Sequence, residues 1–335
     1  MKSIIQVLIV ALFSSTAISQ TARVQLIHNS ADFGAEVLDV YVESVLTANN
    51  FAFRNASAFV DLPASVEIDI AIALNNSGSA NDAFYTLPVT LSEGETYVAV
   101  IIGIKSPIGY EPSPPFQLRI FEMGREVASN PTNVDVLVCH GTTDGPTVDI
   151  VEIGVGLGTL VDNISYTQFD GYLELPTEDY IIEVRSADGN TGLAAYQAPL
   201  ATLGLNGAAI TVLASGFFNP VQNLDGPPFG LWAASPLGGP LIELPGAPLG
   251  VSEFNTETIG LYPNPTNNLV TIDLSGADLG DYNITIADIS GRIVDASNYK
   301  ALKNIIDVSN LASGIYTLSI MDGRHILGTT KLIKK

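Results

Sequence analysis

The sequence predicts an all-β chain: two tandem β-sandwiches followed by a smaller C-terminal β-sandwich. Three observations predict it. Apolar and polar residues alternate in short runs bounded by Gly, Pro, Asn and Asp, which is the period of half-buried strands. No segment sustains the 3.6-residue period of an amphipathic helix. Finally, one unit is written twice before the C-terminal domain, and internal repetition sets the domain count.

The repeat is read from matching landmarks. Leu62-Pro63 recurs as Leu175-Pro176, Gly103 as Gly216, and Pro114-Pro115-Phe116 as Pro227-Pro228-Phe229, each 113 residues on. His28 and His140 lie 112 apart, as do Asp32 and Asp144, while Asp39 and Asp149 lie 110 apart. Copy one is expected over 22–130 and copy two over 133–245, joined through Ser129-Asn-Pro-Thr132. Each has the length and texture of an immunoglobulin-like sandwich.

Within a copy, Val24, Leu26 and His28 share one face of the first strand, and Val136, Val138 and His140 match them. Asp39-Val-Tyr-Val42 and Asp149-Ile-Val-Glu152 supply the second strand. Val66 to Ile72 and Tyr180 to Val184 read as central strands. Tyr97 to Ile104 and Ala208 to Ala214 are apolar at nearly every position, as in strands covered on both faces. The two copies are expected to have separate cores.

At the N-terminus, Met1-Lys2 precedes an apolar run from Ile4 to Phe13 and the small-residue pattern Ala17-Ile18-Ser19. This reads as a signal peptide over 1–19, cut between Ser19 and Gln20. No cysteine stands at the cut, where the next residue is Gln20, so an N-terminal lipid anchor is not expected. The later apolar runs are shorter than the roughly 20 residues a spanning helix needs, so the mature chain is expected to lack one. Fourteen Lys and Arg stand against 35 Asp and Glu, a formal charge of −21. That charge repels phosphate backbones and excludes nucleic acid as a partner. Cys139 is the sole cysteine, so no intrachain disulfide forms.

The C-terminal stretch is a third β-domain, over 261–335, after a linker at 246–260. Val270, Ile272 and Leu274 alternate with Thr271 and Asp273, and Tyr282, Ile284 and Ile286 repeat the pattern. Asp288 to Arg292 supplies a turn and Asp322-Gly323 a hairpin. The domain carries Tyr262-Pro263-Asn264-Pro265, then Ile289-Ser-Gly291-Arg292, then Leu311-Ala-Ser-Gly314-Ile-Tyr316, then Lys331-Leu-Ile-Lys334-Lys335. In that order these resemble the type A C-terminal sorting domain of the type IX secretion system of Bacteroidota. The resemblance implies export across both membranes, engagement of the secretion machinery and its sorting peptidase, and removal of the domain at the cell surface. The cut is expected in the linker between Gly246 and Thr258.

The cargo carries a second resemblance. His28-Asn-Ser-Ala-Asp32 followed by Asp39-Val-Tyr-Val42 is similar to the opening of the domain-of-unknown-function family 4397. His140-Gly-Thr-Thr-Asp144 and Val148-Asp-Ile150 match it less closely but in order. The resemblance implies exported β-sandwich proteins and no assigned activity.

The one constellation with chemical potential is His-x-Ser/Thr-x-Asp, present as His28, Ser30, Asp32 and as His140, Thr142, Asp144, with Asp39 and Asp149 nearby. It reads either as a ligand site at a strand end or as a structural motif in which Ser, Thr and Asp hydrogen-bond the turn backbone. The structural reading is preferred, because the motif is duplicated. Cys139 and His140 point to opposite faces of a strand and cannot act together; the copy-one counterpart of Cys139 is Ile27. No nucleophile elbow or zinc spacing occurs, so no catalytic residue and no metal are expected. Asn75 to Asp82 and Ser186 to Thr191 are oxygen-rich loops that could hold calcium, but neither has calcium-loop spacing, and turn composition explains both.

The reading is therefore a cell-surface-attached, non-enzymatic protein whose sandwiches serve adhesion, binding or envelope structure, with a surface glycan or protein as the class of ligand. The alternative is an exported hydrolase acting on polysaccharide or peptide through carboxylates that the sequence alone does not locate.

Overall fold

The computed structural model describes residues 20–249, 260–274, 282–289, 292–299, 303–322 and 325–335. The fold is all-β, and the described helical pieces are three short 3₁₀ turns. Two compact units are present, one ending at Leu249 and the other starting at Gly250.

The N-terminal unit contains two sandwiches. In the first, Thr21–His28 lies centrally, antiparallel to Asn55–Ala56 and Val60–Pro63 and parallel to Thr96–Ile102, which pairs with Gln117–Glu122. The facing sheet runs Val45–Ala52, Val37–Val42, Glu67–Leu74, Tyr85–Thr90. In the second, Asn133–His140 lies antiparallel to Phe169–Pro176 and parallel to Ala209–Ser215, followed by Gly230–Ala234 and Ile242–Glu243. Its facing sheet runs Gly158–Ile164, Val148–Glu152, Asp179–Ser186, Gly192–Pro199, Gly246–Ala247. The parallel registers correspond: Ile27 faces Val100, and Cys139 faces Leu213.

The same left-handed glycine recurs after each long apolar strand. Gly103 (φ +88°) and Gly216 (φ +86°) take the left-handed conformation. An added Cβ would sit 2.2 Å from the carbonyl oxygen of Pro115 or Pro228 respectively. Only glycine fits where two backbones approach so closely. The approach lets Ile104 N–H reach Pro114 O and Phe217 N–H reach Pro227 O, both at 2.8 Å.

Each sandwich has its own apolar core, with Leu38 and Ile72 prominent in the first and Val134 and Val184 in the second. The expectation of separate cores fails all the same. A third core, shared by the two sandwiches, takes Ile27, Val98, Val100 and Ile102 from the first and Leu137, Cys139 and Leu213 from the second. Alternation explains it. Tyr97, Ala99 and Ile101 enter their own sandwich, leaving Val98, Val100 and Ile102 on the outer face, and that face is buried against the neighbour.

Polar contacts close the same interface. Arg54 stacks over the Trp232 ring at 3.9 Å and donates to Ser215 Oγ and Pro228 O, both at 3.0 Å. Gly239–Pro240, late in the second sandwich's sequence, pairs instead with Asn55–Ala56 of the first. The connection between the sandwiches is held at both ends, by Arg23 to Glu126 (2.7 and 2.8 Å) and by Arg125 to the buried Asp135.

The linker begins later than the expected Gly246. Gly246–Ala247 pairs with Tyr196 and Ala195 and extends the second sandwich by an edge strand. The rest of the expected cleavage region, from Gly250, lies outside the described residues, as does the signal-peptide segment with Ser19; Gln20 is the first described residue.

The C-terminal unit has a three-stranded sheet, Gly260–Tyr262, Leu269–Asp273 and Lys303–Asp307. A four-stranded sheet, Ile293–Tyr299, Tyr282–Asp288, Gly314–Asp322 and His325–Lys334, completes it. Val270, Ile272, Leu274, Tyr282, Ile284 and Ile286 are all buried in its core, on the faces that alternation assigns them.

Candidate functional site

The two His-x-Ser/Thr-x-Asp motifs stand where the first strand of each sandwich ends. His28 is fully buried. Its Nε2–H donates to Ala35 O at 2.8 Å, and its Nδ1 accepts from Ser30 N–H at 3.3 Å. Both bonds require the neutral imidazole with the proton on Nε2. Burial lowers its pKa to about 4, against a smaller upward effect of the Ala35 carbonyl. His140 repeats half of this. Its Nε2–H donates to Pro146 O at 3.0 Å, but its buried Nδ1 has no partner. Burial lowers its pKa as well.

Asp32 does more than close the adjacent turn, and the bonds found for Asp144 go not to its own turn, as expected, but to a distant segment. Asp32 accepts from Gly34 N–H (2.7 Å), then reaches 73 residues along the chain to Lys105 N–H (2.7 Å) and Ser106 N–H (2.6 Å). Asp144 accepts from Phe218 N–H (2.8 Å) and Asn219 N–H (2.7 Å), the counterparts of Lys105 and Ser106. Each carboxylate thus fixes the segment just beyond its left-handed glycine, Gly103 or Gly216. Burial pushes the Asp32 carboxyl up, but the Ser106 hydroxyl and the backbone amides outweigh it and leave the pKa below its ordinary value.

Asp39 and Asp149 hold a different pair of positions. Asp39 accepts from Asn50 N–H at 3.0 Å and Asp149 from Asn163 N–H at 2.8 Å. Asn50 (φ 52°) and Asn163 (φ 58°) are both left-handed, so each buried carboxylate stabilises a bulge in the next strand. The structure therefore does not gather the candidate residues into one site: His28 and Asp32, and likewise His140 and Asp144, clamp the backbone at the end of the first strand, while Asp39 and Asp149 each clamp the backbone at a separate place.

Cys139 lies in the shared core beside its counterpart Ile27, and burial pushes its thiol up to about 12. Among the described residues, no group of three or more His, Cys, Asp or Glu could hold a metal ion. No helix among them is long and apolar enough to cross a membrane.

Sequence reasoning missed Glu152. This buried carboxylate accepts from the backbone N–H groups of Gly154, Val155, Gly156, Leu157 and Ile181, at 2.6 to 3.3 Å. Burial pushes its pKa up, and the amides override that and lower it. The readable signal was an acidic residue just ahead of Gly154-Val-Gly156-Leu-Gly158, whose small residues let successive amides converge on one anion.

In the C-terminal unit, Asn264 ties the Tyr262–Pro265 segment to the terminal strand. Its side chain donates to Lys331 O (2.6 Å) and accepts from Ile333 N–H (2.9 Å). Thr266 continues the pairing, its N–H donating to Ile333 O and its carbonyl accepting from Lys335 N–H. Pro263 and Pro265 both follow cis peptide bonds. Tyr262 hydroxyl donates to Asp273, which also pairs with Lys303. Gly314 opens its strand, and Tyr316 hydroxyl donates to Ala312 O at 2.8 Å. Lys331 and Lys335 are exposed, and Lys334 is half-buried. Gly291 lies outside the described residues; beside it, Asp288 N–H donates to Arg292 O at 2.9 Å.

Comparison with known proteins matches the first sandwich and the C-terminal unit, and gives no second match over the second sandwich. The profile described as "Secretion system C-terminal sorting domain" matches residues 260–335. "Domain of unknown function (DUF4397)" matches residues 22–151, which covers the first sandwich and ends inside the strand Val148–Glu152 of the second. No protein of curated function matches the chain. Among solved structures, dimeric latent PorU from Porphyromonas gingivalis aligns with 89% of this chain and 29% of its own length. The identity is 12% and the TM-score 0.16, which gives no basis for a shared fold. The chain ends in a sorting domain of the type IX kind, which indicates export by that machinery to the cell surface or the extracellular space.

Proposed function

We propose that this chain is a non-enzymatic surface cargo whose residues 22–245 are two copies of one sandwich unit, used for adhesion, binding or envelope structure. The observation that carries the reading is how the candidate residues are used. Each of the six imidazole and carboxylate groups is bonded to the chain's own backbone. A general base needs a free lone pair within reach of substrate; both nitrogens of His28 are engaged, and His140 is held through Nε2, which leaves its buried Nδ1 as the one unbonded nitrogen of the two rings.

In this reading the N-terminal 19 residues direct the first membrane crossing, and the sorting domain directs the second. The sorting peptidase then cuts after Ala247, because Gly246–Ala247 is already part of a sheet. A glycan and protein array probed with the full chain, with products followed by mass spectrometry, tests the proposal. Saturable binding without turnover is expected. Hydrolysis of any arrayed polysaccharide or peptide would overturn it.

A further inference from the structure

The two sandwiches differ inside. Between the sheets of the second lies a cavity of about 90 Å³, against about 50 Å³ in the first. Residues at matching positions of the two copies explain the difference. On the long apolar strand, the residue paired with the histidine is Ile101 in the first sandwich and Ala214 in the second. On the next strand, Ile120 opposite Ala99 becomes Ala233 opposite Val212. In the facing sheet, Val89 opposite Ile68 becomes Ala198 opposite Tyr180. Val212 and Tyr180 run the other way and fill part of the space, but all three alanines line the cavity. Alanine in place of a larger aliphatic residue leaves a void, because the surrounding structure closes in only partly.

The lining is mostly aliphatic, with Val136, Val138, Ile182 and Leu200 among its walls. Three lining residues carry a side-chain nitrogen or oxygen. Tyr180 hydroxyl donates to Pro176 O, Ser235 Oγ accepts from Leu237 N–H, and His140 Nε2–H donates to Pro146 O. Of these groups, only His140 Nδ1 is left without a partner. Such a space holds water poorly, because a water needs two to four polar partners. Size then sets the guest. About 15 Å³ suffices for one water, and an apolar cavity of about 150 Å³ takes benzene, with its six carbons. At the same filling, about 90 Å³ takes three or four non-hydrogen atoms, and about 50 Å³ takes two.

We propose that the second sandwich binds small hydrocarbons of about three or four carbons, such as propane, between its sheets. The first sandwich, with Ile101, Ile120 and Val89 in place, does not. This internal site goes beyond the surface role proposed above and does not depend on it.

The test titrates the full chain with propane and with ethanol, which matches propane in non-hydrogen atoms but carries a hydroxyl that must give up its water. Methyl resonances report on each sandwich separately, and Trp232 fluorescence checks folding. With propane, saturable shifts are expected at Val136, Val138, Ile182 and Leu200, and none at Leu38 or Ile72 of the first core. Propane should bind at least about tenfold more tightly than ethanol. Ala214→Ile, which restores the residue of the first sandwich, should abolish the shifts, and Ala233→Ile serves the same end if that variant does not fold. Ethanol binding as tightly as propane would overturn the proposal, since a polar group such as His140 Nδ1 would then carry the binding. So would absence of saturable shifts in the folded chain, shifts of equal size in the two cores, or binding that survives filling. Each of these outcomes leaves a glycan or protein ligand on the surface of the cargo intact.

Discussion

If His28 is a structural imidazole held neutral by burial, it makes the N-terminal unit sensitive to mild acid. The folded pKa of about 4 lies below the ordinary 6.5. Between those values the unfolded chain binds a proton that the folded chain refuses, so stability falls as pH falls from about 6.5 toward 4. Above that window His28 is neutral in both states, and below it the loss is complete. The gap of 2.5 pH units, at about 1.4 kcal/mol per unit, amounts to roughly 3.5 kcal/mol, of which about 3 kcal/mol is lost by pH 4. His28→Gln keeps a donor for Ala35 O and removes the titration. Urea denaturation followed by Trp232, the only tryptophan in the chain, gives both stabilities. Between pH 7 and pH 4 the unmodified chain should lose about 3 kcal/mol more than His28→Gln. His140 and the carboxylates are common to both chains and cancel. Parallel pH profiles would refute the reasoning, since they would mean that folding leaves the imidazole free to protonate.

Two further outcomes follow from the packing. Gly216→Ala places a Cβ 2.2 Å from Pro228 O at a φ of +86°, and should cost upwards of ~2 kcal/mol by thermal or urea unfolding. Leu213→Ala opens a hole in the shared core and should cost about 2–5 kcal/mol. Its hydrogen-exchange signature should appear in Thr96–Ile102 as well as in Ala209–Ser215, and loss of protection confined to the second sandwich would contradict a shared core.

Alternation made most strands legible, because burying one face leaves a period of two that survives in the sequence. It also showed that Tyr97 to Ile104 is covered on both faces. It could not show by what, since burial leaves the same trace whichever surface supplies it. The partner is the other sandwich, and Asn29 and Gly141 show how closely they meet. A Cβ on Gly141 would lie 2.1 Å from Asn29 Nδ2, so the two counterpart positions cannot both carry side chains. The roles of Asp32 and Asp144 were only half legible. The turn bond to Gly34 is local, but the bonds to residues 73 to 75 positions away exist only once the long apolar strand has paired. In the sorting domain the ordered motifs were readable, whereas the bridging of the terminal strand by Asn264 depends on two segments 67 and 69 residues apart.

The most direct measurement of the central claim is the location of the chain with and without residues 260–335, followed by surface proteolysis and fractionation of cells that carry a type IX system. The account predicts that the full chain reaches the surface or the medium with its C-terminal unit removed, while the truncated chain accumulates in the periplasm with the His28 and Trp232 signatures of a folded N-terminal unit. Surface display of the truncated chain at the level of the full one would contradict it.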